Sequence, residues 1–353
     1  MASELLTTLL RDVSRAFYLS MRILPTGMRE PVSLAYLLAR AADTVADSRL
    51  LPPHERLEHL LTLRGQLHEP LDAERLRAIE RAVVADDGAT PGERRLMRSL
   101  VPAVGLLASM PPADRASIVT VVTTLTEGME MDLRTFGAES SHVVPLATAA
   151  DLDRYIYLVA GCVGAFWTEL SVRHVPALRH WDVARMSAAG VRFGKALQLT
   201  NVLRDLPRDL QNGRCYLPAA RLHGFGVALE DLVAGRMTPD MKVMLATHVR
   251  LALRHFEEAE FYVLSIPWYC VRLRLAALWP VLLGLGTLQR LVGNERWLDA
   301  KARVKVPRSE VYQMMALSLP ATLSSSLLRR WMLGLRTRVE TGLTSFSGQP
   351  ERS

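Results

Sequence analysis

Apolar residues recur at helical spacing along nearly the whole chain, while runs that alternate apolar and polar residues are scarce. The pattern predicts helices over about 2–19, 28–49, 54–82, 92–108, 112–136, 149–173, 181–206, 238–264 and 308–335. Helix-breaking residues fall between them, at Leu51-Pro52-Pro53, Asp86-Asp87-Gly88, Met110-Pro111-Pro112, Gln211-Asn212-Gly213 and Ile266-Pro267. No composition shift or repeat divides the sequence. The expectation is one all-α domain over 1–340, its helices surrounding a central space, followed by a flexible tail over 341–353.

Two helical segments break the apolar pattern in the same way. In Pro31–Asp47, an Ala- and Leu-rich stretch, Tyr36, Arg40, Asp43 and Asp47 follow at +4, +3 and +4. In Phe193–Asp209, Gln198, Asn201, Asp205 and Asp209 follow at +3, +4 and +4. Each set lies on one helical face, and each ends in DxxxD. An isolated DxxxD is most simply a solvated face or an intrahelical Arg–Asp pairing. Two such stripes on apolar helices are harder to explain that way, because carboxylates among Leu and Ala need compensating cations. Mg²⁺ suits them: it takes oxygen ligands and fills its remaining positions with water and phosphate oxygens. The layout reads as Asp–Mg–diphosphate–Mg–Asp, with Arg side chains completing the charge balance.

Composition narrows the remaining classes. A chain of 353 residues, 49% hydrophobic, can bury a large core. Its net charge of +7 is spread along the sequence, which suits anionic membranes or diphosphates, and no nucleic-acid motif accompanies it. Cys162, Cys215 and Cys270 form no CxxC pair, so neither a cysteine zinc site nor a disulfide framework is expected. A di-iron carboxylate bundle needs two Glu-x-x-His pairs, and the sequence offers Glu139-Ser-Ser-His142 alone. A GxGxxG dinucleotide motif is missing. The start, MASELLTTLLRDVSR, lacks a signal-peptide pattern, so a cytoplasmic setting is expected. The longest apolar run, Leu275–Leu288, contains Pro280 and is shorter than the roughly 20 residues of a spanning helix. It reads as a core helix or an interfacial one.

With both stripes in view, the sequence resembles the squalene/phytoene synthase family over about residues 10–315. Five blocks carry the resemblance: Ser14-Arg15-Ala16-Phe17; Tyr36…Arg40-Ala-Ala-Asp43-Thr-Val-Ala-Asp47; Tyr155-Ile-Tyr-Leu-Val-Ala-Gly161-Cys-Val-Gly164; Gln198-Leu-Thr-Asn201-Val-Leu-Arg204-Asp205-Leu-Pro-Arg-Asp209; and Asn212-Gly-Arg214-Cys-Tyr-Leu-Pro218. The resemblance implies an all-α isoprenoid synthase fold and head-to-head coupling of two prenyl diphosphates through a cyclopropyl diphosphate. It implies Mg²⁺ binding by Asp43, Asp47, Asp205 and Asp209. It places Ser14, Arg15, Arg40, Gln198, Asn201, Arg204 and Arg214 where the family binds diphosphate. Phe17, Tyr36 and Tyr155 match aromatic positions beside the reacting carbons, where aromatic faces shield cations without attacking them. Gly161 and Gly164 leave room for a prenyl tail or, equally, allow close helix packing.

Within the family, Asp43-Thr44 in the first motif resembles the squalene synthases. So does the basic segment Arg303-Val-Lys305-Val-Pro-Arg308, where Lys305 and Arg308 would contact NADPH. That implies farnesyl diphosphate as substrate, presqualene diphosphate as intermediate and NADPH-dependent reduction to squalene. The alternatives are phytoene, dehydrosqualene or presqualene diphosphate formation without reduction, and a non-catalytic isoprenoid-binding protein. The motifs depart from squalene synthases at Ala46 and Arg208, where Glu is usual, and Pro207 interrupts the second motif with either a kink or one missing helical bond. A monomer is expected, held peripherally on the cytoplasmic face of a membrane through an apolar, Arg-flanked surface such as Trp268–Arg290.

Overall fold

The computed structural model describes residues 9–10, 13, 21–48, 50–85, 88–137, 142–302 and 304–348. The chain divides into two compact units, Met1–Ala138 with Ala165–Val183, and Glu139–Gly164 with Ala184–Ser353.

In the first unit the described helices are α1 (Thr26–Ala46), α2 (Pro53–Gly65), α3 (Ala73–Val84), α4 (Pro91–Arg98), α5 (Leu100–Ser109) and α6 (Pro112–Phe136). The sequence pattern joined α2 to α3 and α4 to α5. Glu69-Pro70 and Ser99 separate them instead. Helix α1 packs chiefly on α6. Its inward face is Leu34, Leu37, Leu38, Ala41, Ala42 and Val45, all buried. Because the buried face is largely Leu and Ala, the polar stripe is confined to the opposite side. Asp114, buried at the start of α6, is balanced by Arg173 at 2.7 Å and His174 at 2.8 Å.

The second unit opens with a short strand, β1 (Val144–Leu146), and α7 (Ala149–Ile156), which a Thr148–Asp151 capping box starts. One π turn (Tyr157–Gly161) links α7 to α8 (Cys162–His174), which crosses into the first unit after Gly164. Then come α9 (Val183–Gln211), β2 (Arg214–Pro218), α10 (Ala219–Gly224), α11 (Leu229–Val233), α12 (Pro239–Ser265), α13 (Val271–Val292), α14 (Arg308–Ala321) and α15 (Ser325–Ser347). Strands β1 and β2 pair in parallel, Val144 opposite Arg214. Gly213, at φ 77°, turns the chain out of α9 and into β2.

Glycine spacing sets how closely α9 approaches the π-turn helix. A Cβ at Gly164 would fall 1.9 Å from the Gly190 carbonyl oxygen, and one at Gly194 would fall 2.3 Å from that of Ala160. Gly164 therefore serves backbone-to-backbone packing. A Cβ at Gly161 would meet only the side chains of Tyr157, Lys195 and Val191, at 3.2–3.4 Å.

Helix α15 packs on α12 and α13. It corrects the expected tail, since residues 341–347 are helical, Leu343 is buried and Phe346 lies 5.3 Å from Trp297. Within this packing Arg336 pairs with Glu257 at 2.8 Å and reaches Glu260 at 3.5 Å, where Arg336 Nε and Glu260 Oε1 make no hydrogen bond. Burial pushes the Glu260 carboxyl up to about 7; Arg336 opposes the shift, and the charges of Glu257 and Glu340 add to it. A raised folded-state pKa means the native protein holds that proton more tightly than the unfolded chain does. The resulting stability is present below the ordinary value near 4.5 and is lost as pH rises through 7. Glu260→Gln is expected to leave the melting temperature unchanged at pH 4.5 and to raise it at pH 8. Equal melting shifts at both pH values would contradict this origin.

Candidate active site

The first stripe lies on α1 within the first unit. Tyr36 Oη donates to the Val13 carbonyl at 3.3 Å, and burial pushes its phenol above the ordinary value. Arg40 is clamped between two carboxylates: it pairs with Asp43 one turn on and donates to Glu93 Oε1 at 2.6 Å. Burial disfavours the guanidinium charge, yet Asp43 and Glu93 more than offset this, so the cation is held. Its Nε is buried and makes no hydrogen bond, which leaves one donor unused.

Asp43 is pushed up to about 6, first by burial and then by the charge of Asp47 one turn away, against the pull of Arg40. Asp47 caps the C-terminus of α1 and is exposed. Two carboxylates one turn apart, one of them ionising reluctantly, next to an exposed edge, form a donor set that a hard dication relieves. The residues present thus fit Mg²⁺. Among the described residues, no three His, Cys, Asp or Glu side chains converge as a metal cage. A metal here would take two aspartates from one helix and complete its shell with water and substrate oxygens.

Glu93 carries a role that sequence reasoning missed. Its Oε2 accepts from the Thr90 backbone N–H at 2.8 Å, in the capping box that starts α4, while Oε1 holds Arg40. The T-x-x-E signature at Thr90–Glu93 was the available signal, and it pointed to a helix start rather than to a partner of Arg40.

The second stripe lies on α9. Asn201 Nδ2 donates to Gln198 Oε1 at 3.3 Å. Arg204 folds onto the neighbouring Asp205, with Nε to Oδ1 at 3.1 Å. Asp205 and Asp209 are half-buried, and Arg208 between them is exposed. Arg214 stands at the start of β2. Tyr155 is buried and stacks on Tyr216 at 4.5 Å, an aromatic pair in which sequence reasoning gave Tyr216 no role. The nearby Cys215 thiol is pushed up to about 12 by burial, so it is inert as a nucleophile at neutral pH.

Helix α9 runs through Pro207 to Gln211 and keeps Asp205 and Asp209 one turn apart. Proline supplies no N–H, so the carbonyl of Leu203, four residues earlier, loses its helical donor. The indole Nε1 of Trp297 donates to that carbonyl at 2.9 Å. Both side chains are buried, so no solvent could do this job. The missing-bond alternative holds, with a tryptophan from 94 residues away in place of the bond.

Lys305 and Arg308 are exposed at the start of α14. Two exposed cations fit a phosphate by charge alone. Ser14, Arg15 and Phe17 lie outside the described residues.

The family model for squalene/phytoene synthase matches residues 10–310. The chain is 30% identical to the presqualene diphosphate synthase of Rhodopseudomonas palustris, over 69% of this chain and 73% of that one. It is 32% identical to a bifunctional lycopene cyclase/phytoene synthase of Arthroderma gypseum over 61% of its own length, which spans 34% of that relative. Among solved structures it is similar to TcSQS in complex with the ligand BPH1237, with a TM-score of 0.74 at 21% identity over 98% of each chain. That likeness gives the all-α isoprenoid synthase fold. By the extent of the family match, the chain belongs to the squalene/phytoene synthase family.

Proposed function

We propose that the protein couples two molecules of farnesyl diphosphate head to head to presqualene diphosphate, and then reduces this to squalene with NADPH. The observation that carries the coupling step is the α1 stripe: two carboxylates one turn apart, one of them pushed up to about 6, beside the half-buried guanidinium of Arg40. That is a site short of positive charge, which a dication carrying an anionic ligand would fill. The α9 stripe supplies the second aspartate pair.

Mg²⁺ bound at Asp43 and Asp47, and at Asp205 and Asp209, would neutralise the charge that grows on departing pyrophosphate. Arg40, held by Glu93, adds its positive charge beside the diphosphate. Gln198, Asn201, Arg204 and Arg214 bind and orient diphosphate. Serving a diphosphate oxygen requires Arg204 to leave Asp205, a swap of one anionic partner for another. Ionisation leaves an allylic cation that water would quench. By family position Tyr36 and Tyr155 would each present an aromatic face to such a cation, and the Tyr155–Tyr216 stack keeps the Tyr155 ring in one orientation. Tyr155 Oη relays the proton lost from the reacting carbon as the cyclopropane closes, passing it to the departed pyrophosphate. Phe17, Ser14 and Arg15 complete the set by family position.

Lys305 and Arg308 would hold the phosphates of NADPH in the second step, with the nicotinamide supplying hydride. Lys305→Ala with Arg308→Ala is expected to raise the KM for NADPH about tenfold while presqualene diphosphate formation is unchanged. Assays with and without NADPH read this directly. An unchanged KM would remove these residues from the site, and identical lipid products with and without NADPH would remove the reductive step. A second reading, coupling without reduction, draws on the similarity to proteins named presqualene diphosphate synthase and phytoene synthase.

A further inference from the structure

Helix α13 was the expected membrane-facing segment, and the structure corrects this. Most of its side chains are buried, including Leu275, Leu278, Leu282, Leu285 and Leu288. Of the stretch Trp268–Arg290, the large apolar side chains left exposed are Trp268 (57%) and Tyr269 (60%), in the loop before α13.

A concentration of exposed apolar side chains in the second unit lies on α14, α15 and the turn between them. Helix α14 is rich in Met, Leu and Ala, yet Ser318 is its one buried residue. Tyr312 is 64% exposed, Leu319 55% and Leu323 56%; Leu317, Leu327 and Leu333 are exposed as well. Tyr312, Ala316, Leu319 and Leu323 follow at +4, +3 and +4, one solvent face continued into the turn. A helix of this composition ordinarily buries an apolar stripe, and a contiguous exposed patch marks an interaction surface.

Polar clamps hold α14 in place. Trp279 Nε1 donates to Ser318 Oγ at 2.9 Å, and the buried Arg274 donates to the Thr322 carbonyl at 2.8 Å and to Ser325 Oγ at 2.6 Å. Arg290 pairs with Glu310. Trp268 and Tyr269, packed edge to face at 5.8 Å, precede Arg274 by six and five residues. The surface charge is predominantly positive: Arg272, Arg329 and Arg330 are exposed, neither 261–294 nor 311–338 contains Asp or Glu, and the carboxylate of α14, Glu310, is paired with Arg290.

We propose that this surface docks the protein on an anionic lipid bilayer. Leu319, Leu323 and Leu327 enter the acyl boundary, Trp268, Tyr269 and Tyr312 sit at headgroup level, and Arg272, Arg329 and Arg330 meet lipid phosphates. The charge distinguishes the bilayer from a second copy of the chain, since a two-fold interface would bring this arginine patch against itself.

Vesicle flotation of the full chain tests the proposal without reading turnover, so its outcome is independent of the enzymatic reading. The protein should float with equimolar phosphatidylcholine–phosphatidylglycerol vesicles, less in high salt, and poorly with phosphatidylcholine alone. Leu319→Glu with Leu323→Glu should cut the bound fraction at least tenfold with an unchanged melting curve. Arg329→Gln with Arg330→Gln should remove the preference for phosphatidylglycerol. No flotation with either vesicle overturns the proposal, as does full binding by the Leu-to-Glu variant. So does a dimer, seen by light scattering, that the same variant dissociates while vesicle binding is absent.

Discussion

Asp43→Asn and Asp205→Asn are each expected to lower the rate of diphosphate release from farnesyl diphosphate by at least about a hundredfold, the scale of losing one charge-stabilising group in a transition state. Asparagine keeps the shape of the side chain and removes the negative charge that draws the metal. Asp43 already ionises reluctantly, because it is partly desolvated and faces Asp47. Its charge is retained against the preference of the apo fold, which a purely structural role would not require. Neither change should unfold the protein: Asp43 is half-exposed, and Arg40 keeps Glu93 as a partner. The measurement is pyrophosphate release at saturating Mg²⁺, with circular dichroism confirming the fold. A variant with wild-type release would detach these aspartates from the chemistry.

Trp297→Phe is expected to weaken the second aspartate pair without touching it. The substitution removes the donor to the Leu203 carbonyl, and a buried carbonyl left unsatisfied costs about 1–3 kcal/mol. For a chain of this size that corresponds to a fall in melting temperature of roughly 1–4 °C. The carbonyl belongs to the turn that carries Asp205, so α9 is freed to bend at Pro207 and the spacing to Asp209 is no longer fixed. The Mg²⁺ concentration for half-maximal activity should therefore rise. A melting loss with unchanged Mg²⁺ dependence would make Trp297 a structural residue only. No change in either would show that the hydrogen bond is dispensable.

The two aspartate stripes were legible in the sequence because helical spacing alone places residues at +3 and +4 on one face. Tyr36, Arg40 and Asp43 lie on α1, which Asp47 caps, and Gln198–Asp209 lie on α9, which runs on to Gln211 past the expected end at 206. The dominance of helix was equally legible. What escaped depends on contacts between distant segments. Nothing local to Pro207 names Trp297, and nothing local to Arg40 names Glu93. Gly164 could be read as space or as close packing until Gly190 was seen opposite it. Helix α13 and the face of α14 carry similar apolar content, and only packing decides that the first is core and the second is surface. The same holds for 341–347, whose polar composition suggested a tail although Leu343 and Phe346 anchor it.

The central claim, head-to-head coupling of two prenyl diphosphates, is tested most directly by one incubation. Purified protein is given farnesyl diphosphate and Mg²⁺, with NADPH in a parallel sample, and the extracted lipids are identified by mass spectrometry. The account predicts presqualene diphosphate without NADPH and squalene with it. Absence of any coupled product from farnesyl diphosphate, and again from geranylgeranyl diphosphate, would contradict it.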